Sequence, residues 1–446
     1  MQSWTSSYFS EMGHNIVAQV RKADGSFYQP EVRGSAVVAQ NLQPGDVLIV
    51  DGISSGNTRS MHRQFGVSDV FSFFEAFEYA NPIFSQKMTV AVPEGYPVEF
   101  MTHHLDSAYY SKFKKNKLDM YQWEMEFVSP YVEEEASLGQ WISSPKIQAS
   151  NGIRWTDISD WYQDMTYRKL EPNYLIQELY DSLVTPEMSE QEVIQAVYRY
   201  ITHDIQYVSS FLQDGYEPQR PEVTCSAGVG DCKDVATLMI TLLRMRGIEA
   251  HYTLVLSGAF VPFKVLPINF FNHAIVAYEH DGETHFVDLT TERYPYYAIP
   301  ESDQGAWALL IKPGEQDIFR LPPDQLDSTK NLVRFETTAT MLDSSAMNIK
   351  VRATYPGNEG GRMREFMGAQ GKNTSAYYRS ELTFQGFPEI KLEDLEYENL
   401  EDFANPLKFE ANFSAKDAAE NLYGLHVMTA PCLDRGPIPS ALLTPQ

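Results

Sequence analysis

Cys232 stands in the run Gly230-Asp231-Cys232-Lys233-Asp234, where a strongly patterned stretch begins. Val235, Leu238, Met239, Leu242 and Leu243 follow at i, i+3, i+4, i+7 and i+8, the spacing of one buried helix face. Asp231 is suited to the N-cap, Asp234 to the first turn, and Gly247 to the position that stops the helix. A cysteine at such a start faces the positive end of the helix dipole, where a thiol ionises more readily than the free group at about 8.5. The thiolate is the form that attacks a carbonyl carbon, so the placement suits covalent catalysis. A cysteine merely packed into a helix is the competing reading, and residues elsewhere must decide.

The deciding residues lie in a hairpin, Asn272-His273-Ala274-Ile275-Val276-Ala277-Tyr278 followed by Thr284-His285-Phe286-Val287-Asp288-Leu289. Asp281-Gly282 between them is a tight-turn signal. A two-residue or a four-residue loop gives one register: His280 opposite Glu283, Ala277 opposite Phe286, Ile275 opposite Asp288, and His273 opposite Thr290. Side chains alternate by two, so His273 and Asp288 share a face as diagonal neighbours within reach of each other. That is the relation of a general base to the group that orients it. A one-residue bulge would undo it. Taken singly, His273 reads as well as a backbone-bonded histidine at a strand start, and Asp288 as a turn aspartate. Their agreement in register, together with Cys232, favours chemistry. Acyl chemistry also needs donors for an oxyanion. The Cys232 N–H is one, and Gln206 and Tyr207 are candidates for the second, though both also read as ordinary residues after a helix.

Three kinds of segment surround these groups. Residues 1–150 read as short strands broken by turns: His14–Arg21, Ser35–Ala39, Asp46–Val50, the aromatic-rich Val70–Tyr79, Lys87–Val92 and Asp119–Val128. This texture suggests a β-sandwich-like domain. Residues 151–328 hold the candidate catalytic core. There Tyr174–Val184 has helical spacing, Ser189 and Glu192 have the spacing of a capping box ahead of a stripe through Val193, Ile194, Val197, Tyr198 and Ile201, and His251–Leu256 reads as a strand. Residues 329–446 return to alternation in Leu332–Met341, Ala346–Tyr355 and Leu407–Ser414, with a helix expected in Gly360–Phe384. The fold class expected is α+β.

The order Cys232, His273, Asp288, with Ala236, Leu238, Leu242, Leu243 and Arg246-Gly247-Ile248-Glu249-Ala250 after the cysteine, resembles the transglutaminase-like superfamily over Ser189–Leu310. The resemblance implies a papain-like core between an N-terminal β-sandwich-like domain and a C-terminal β-rich domain, with Cys232 as nucleophile, His273 as base and Asp288 as orienter. It implies a thiol-dependent acyl hydrolase or transferase acting on peptide or carboxamide bonds of a peptide or protein substrate, without cofactor or metal. A catalytically silent scaffold serving as an envelope binding module is the alternative. The sequence departs from the family pattern at Ile275, where an aromatic residue is frequent, and at Leu289, where proline is frequent. Both bear on substrate shape more than on the reacting groups. More loosely, Gln43-Pro44-Gly45-Asp46-Val47 and Phe84–Gly95 are similar to flanking β domains of a bacterial group within the family.

The remaining features bound the reading. A net charge of −25 argues against a nucleic-acid partner and against docking on an anionic membrane. No run approaches the ~18 apolar residues of a membrane-spanning helix. Three cysteines are too few for a disulfide scaffold. Cys225 reads as a loop or packing cysteine before Cys232, with a resolving thiol as the alternative, and Cys432 has no partner motif. His103-His104 with Asp106 fits no standard metal spacing, and His280 and His285 beside the hairpin turn read as exposed. Lys233 and Asp234 either shape the mouth of the site or cap the helix. The opening residues have neither a basic start nor an apolar run. The bacterial group carries further strands and a secretion signal ahead of the matched part. The expectation is therefore a truncated start and a periplasmic or cell-envelope location, with the cytoplasm as the alternative.

Overall fold

The structure, a computed structural model, describes residues 4–6, 15–33, 36–53, 72–76, 82–128, 130, 142, 144–209, 215–258, 261–267, 271–291, 293–322, 332–343, 345–370, 389–418, 420–423 and 425–427. The chain forms two compact units, Met1–Phe71 and Ser72–Gln446. This division falls inside the first of the three segments expected from the sequence, whose boundaries were drawn after residues 150 and 328.

The first unit holds two three-stranded antiparallel sheets. Ala36–Ala39 pairs with Trp4–Ser6 and Glu31–Arg33; Asn15–Arg21 pairs with Phe27–Tyr28 and Val47–Ile53. Ala18 and Val20 alternate inward, which is the period-2 pattern that suggested a strand.

In the second unit two more antiparallel sheets precede the core. One joins Ile83–Pro93, Leu118–Val128 and Tyr110–Lys115; the other joins Ser72–Ala76, Lys146–Ser150 and Glu99–His103. His103 belongs to the second sheet, where its ring stacks on Phe263 and its Nε2 lies 2.7 Å from the Gln148 amide. Gln148 in turn accepts the Leu266 N–H at 2.8 Å. The histidine thus ties this sheet to the segment that leads toward His273.

The core consists of helices against one sheet. In chain order these are α1 (Trp155–Thr166), α2 (Tyr174–Leu183), α3 (Glu190–Asp204), β1 (Gln206–Tyr207), α4 (Pro221–Ala227), β2 (Val229–Gly230), α5 (Cys232–Arg246), β3 (Ala250–Val255), β4 (His273–His280), β5 (Glu283–Val287), β6 (Trp307–Leu310) and β7 (Phe319–Arg320). The sheet is antiparallel throughout, in the order β5-β4-β3-β6-β7. Helix α5 is buried along Lys233–Leu243, packed between α3, α4 and strands β3 and β4. The capping box at Ser189/Glu192 begins α3, and Gly247 at φ 89° ends α5 in the left-handed conformation a glycine adopts without strain. Helix α4 departs from the sequence reading. Cys225 lies on it and not in a loop, with Pro221 starting the helix and Gly228 closing it.

After the core, β8 (Arg334–Met341), β9 (Met347–Tyr355), β10 (Glu389–Glu398) and β11 (Leu407–Lys416) make an antiparallel sheet in the order β8-β9-β11-β10. Its buried face carries Met347, Ile349, Val351, Ala353, Leu407, Phe409, Ala411 and Phe413, and α6 (Gly357–Gln370) covers it with Met363 and Met367. Residues 371–384 of the expected Gly360–Phe384 helix, and Cys432, lie outside the described residues. No helix among the described residues is long and apolar enough to cross a membrane.

Candidate active site

Cys232 is the first residue of α5, free and half-buried. The Asp231 side chain accepts the Asp234 N–H, and the Asp234 side chain accepts the Asp231 N–H in return. This reciprocal cap fixes the first turn and leaves the N–H groups at the helix tip without partners inside the helix. Asp234 also accepts the Gln219 N–H at 2.7 Å, which anchors the approach to α4. Gly230 sits in close packing. A Cβ there would stand 3.0 Å from Thr224 Cγ2 and 3.1 Å from Asp234 Cβ, so α4 and α5 approach over a residue with no side chain. Lys233 turns inward and pairs with Asp231, both nearly inaccessible. Asp234 caps and Lys233 neutralises; neither lies open at a mouth.

His273 opens β4 directly opposite Val255 of β3. Asn272, just before it, bonds both ways with the Ser257 backbone, accepting its N–H at 2.8 Å and donating to its carbonyl at 2.9 Å. The hairpin pairs His280 with Glu283, Ala277 with Phe286 and Val276 with Val287, the register read from the sequence. Carried one residue beyond the strand, that register puts Asp288 beside Ile275 and on the His273 face. The contact is made: His273 Nε2 lies 3.0 Å from Asp288 Oδ2. The other Asp288 oxygen accepts the Thr290 N–H and hydroxyl, each at 2.8 Å. Thr290 therefore serves Asp288 directly, a role carried by the Asp-x-Thr spacing. Cys232 is also among the groups that favour the protonated form of His273. With Nε2 on Asp288, Nδ1 is the ring nitrogen outside that bond.

Burial alone pushes the His273 imidazole toward its neutral form. The Asp288 charge and hydrogen bond, Cys232 and the Asp303 charge together outweigh it and hold His273 well above the ordinary histidine value. Asp288 is pushed up by burial but held below the usual carboxylate range by the His273 charge and hydrogen bond and by Thr290. These groups together favour the imidazolium form of His273 beside the Asp288 carboxylate.

Asp303 was not singled out in the sequence. It is completely buried in the turn before β6, with Oδ2 3.8 Å from His273 Nε2. Only a fold that returns the chain to β4 after β5 could reveal it; no local spacing does. His273, Asp288 and Asp303 are also the described His, Cys, Asp and Glu side chains grouped closely enough for a metal, with ligand atoms within 4.8 Å. The one imidazole nitrogen turned to both carboxylates is already bonded to Asp288, so the set fits proton chemistry better than ligation.

Of the two residues considered for the oxyanion, Gln206 is exposed and its N–H is bonded to the Gly228 carbonyl at 2.9 Å. Tyr207 is half-buried. Its phenol is pushed up to about 12 by burial, with Cys232, Asp288 and Asp231 adding charge. Tyr162, fully buried, stands edge-on to Tyr252 and Tyr216. Cys225 is different. Burial, more than Glu222 charge, pushes its thiol up to about 11 against a hydrogen bond from Tyr200. A thiol so held is poorly suited to resolve a sulfur intermediate. The expectation that His280 and His285 are exposed is corrected. Both are half-buried, His280 Nδ1 lying 3.0 Å from Glu190 and His285 stacking on Tyr278.

Residues 177–265 match the model of the transglutaminase-like superfamily, so the chain carries a transglutaminase-like core. The match takes in Cys232 and stops before His273. No curated protein matches the chain. Among solved structures, a candidate protease from Parabacteroides distasonis ATCC 8503 superposes with TM-score 0.47 at 11% identity, over 93% of this chain and 85% of that one. A candidate cysteine protease from Cytophaga hutchinsonii gives 0.23 at 16% identity, over 50% and 72%.

Proposed function

We propose that the protein is a thiol-dependent acyl hydrolase or acyltransferase acting on peptide or carboxamide bonds, with Cys232 as nucleophile, His273 as general base and acid, and Asp288 as its orienter. One observation carries the reading: His273 is bonded to buried Asp288, and Cys232, at a helix N-terminus, is among the groups that favour its protonated form. His273 holds the proton of Cys232 as the sulfur attacks the carbonyl carbon, and the carbonyl π electrons move to oxygen. The Cys232 N–H and, as second donor, the Tyr207 phenol are the groups assigned to that oxyanion. Collapse breaks the C–N bond, and the leaving nitrogen takes the proton held by His273. Water or an amine then attacks the thioester and gives a proton to His273, and the C–S bond breaks to release the Cys232 sulfur. That Cys232 is half-buried and not sealed supports this reading over the silent scaffold.

The resemblance of the flanking segments extends the proposal to a core set between β domains and to an envelope location. Mass spectrometry of peptides treated with the protein, with and without an added amine, tests the activity. Cleavage, deamidation or amine incorporation that disappears in Cys232→Ser supports it. Full turnover in Cys232→Ser rules it out.

A further inference from the structure

Asp303 has a chemical problem that its surroundings do not solve as a plain carboxylate. It is 0% exposed. The Ser257 hydroxyl is a hydrogen-bonding partner, and the Ser302 hydroxyl reaches Oδ1 at 3.4 Å, but Oδ2 has no hydrogen-bond donor. The nearest N–H on that side is His273 Nε2, 3.8 Å away and directed to Asp288. The remaining neighbour is the Asp288 carboxylate, an acceptor. A buried charge left this way is costly, and two carboxylates sharing a site do not ionise independently.

A proton resolves the contact. On Asp303 it supplies the missing donor, and Asp288, already partnered by His273 and Thr290, accepts it. The position is fixed by backbone bonds: Asp303 N–H to Pro300 O at 2.9 Å, Ala306 N–H to Asp303 O at 3.0 Å, and Gly258 N–H to Ser302 O at 2.8 Å. The last of these ties the turn to the end of β3, opposite which His273 begins. The groups facing Asp303 are thus His273 from β4, Asp288 after β5, and the hydroxyls of Ser257 and Ser302, with Cys232 beyond the imidazole.

We propose that Asp303 is a positioning residue of the His273–Asp288 pair, sharing a proton with Asp288 when neutral and adding a second negative charge beside the imidazole when ionised. The inference deepens the reading of His273 as base and rests on it. Burial first, then the Asp288 charge, against the opposing pull of His273, pushes Asp303 up to about 6. The change of state therefore falls in mildly acidic solution, well apart from Asp288.

The test is an NMR pH titration of the His273 imidazole in the full chain, assigned with His273→Ala and run on wild type, Asp303→Asn and Asp303→Ala. The wild type shows an inflection near 6 from Asp303, below the imidazole's own. Both variants lose that inflection, and the His273 midpoint falls by about one unit or more, the effect of removing a charge at this separation. Asp303→Asn keeps a donor for Asp288 and retains the Asp288–His273 hydrogen bond, whereas Asp303→Ala weakens it. A wild-type curve with only the His273 inflection overturns the proposal, even if neither variant folds. So does a folded Asp303→Asn whose curve superposes on the wild type. The thiol reading fails separately: an inert Cys232 alongside a shifted His273 curve refutes the chemistry and leaves the Asp303 coupling standing.

Discussion

Asp231 and Lys233, the residues on either side of Cys232, form a buried ion pair at the tip of α5. Asp231 has two duties, because it also caps the helix through the Asp234 N–H. The pair sets the first turn of α5, and with it the position of the sulfur, without contributing a group to the reaction.

Asp231→Ala removes the cap, worth about 1 kcal/mol, and strands the Lys233 ammonium in a site with almost no solvent. The expected loss is about 3 kcal/mol or more in chemical denaturation. Adding Lys233→Met removes the stranded charge and recovers a substantial part of it. Equal stabilities for the single and double variants would show that the pair is not buried in solution.

Asp288→Asn keeps the shape beside His273 but removes the carboxylate that orients and stabilises its charge. Turnover is expected to fall by about 10²- to 10⁴-fold, the range seen when a base loses its orienting carboxylate. Thermal unfolding and partial labelling of Cys232 should persist. Steady-state rates beside a melting curve check both halves, and a rate within twofold of wild type excludes the assigned role.

Asp303 predicts a pH dependence of stability. Its folded-state value, about 6, lies above the ordinary 3.8. The folded chain therefore holds this proton more tightly than the unfolded chain. The associated stabilisation is complete below about pH 4 and is lost as pH rises through about 6. Relative to Asp303→Asn, wild type should lose up to about 3 kcal/mol between pH 4 and pH 7, taking 1.36 kcal/mol per unit. Urea denaturation at the two pH values measures the difference. A constant gap contradicts the buried, titrating carboxyl.

Much of this site could be read before the fold was known, because its parts are local. The cap, helix face and stop of α5 are written in Asp231, the Val235–Leu243 spacing and Gly247. A hairpin register follows from Asp281-Gly282 alone, and it carries His273 to Asp288. Contacts that depend on returning chain were illegible. Asp303 reaches His273 from a turn beyond β5. Helix α4 was missed because its seven residues are too few for a periodic pattern, though Pro221 and Gly228 mark its ends. His280 was misjudged because its partner Glu190 lies far back along the chain, on α3.

The central claim is that His273 governs the reactivity of Cys232, and alkylation tests it without knowledge of the substrate. Wild type and His273→Ala are treated with iodoacetamide from about pH 5 to about pH 9, and labelling of the Cys232 peptide is followed by mass spectrometry against the Cys225 peptide. The account predicts rapid labelling of Cys232 well below the ~8.5 of a free thiol, lost in His273→Ala, with Cys225 unreactive throughout. Labelling of Cys232 only above about pH 8, with a profile the His273→Ala substitution leaves unchanged, would contradict it.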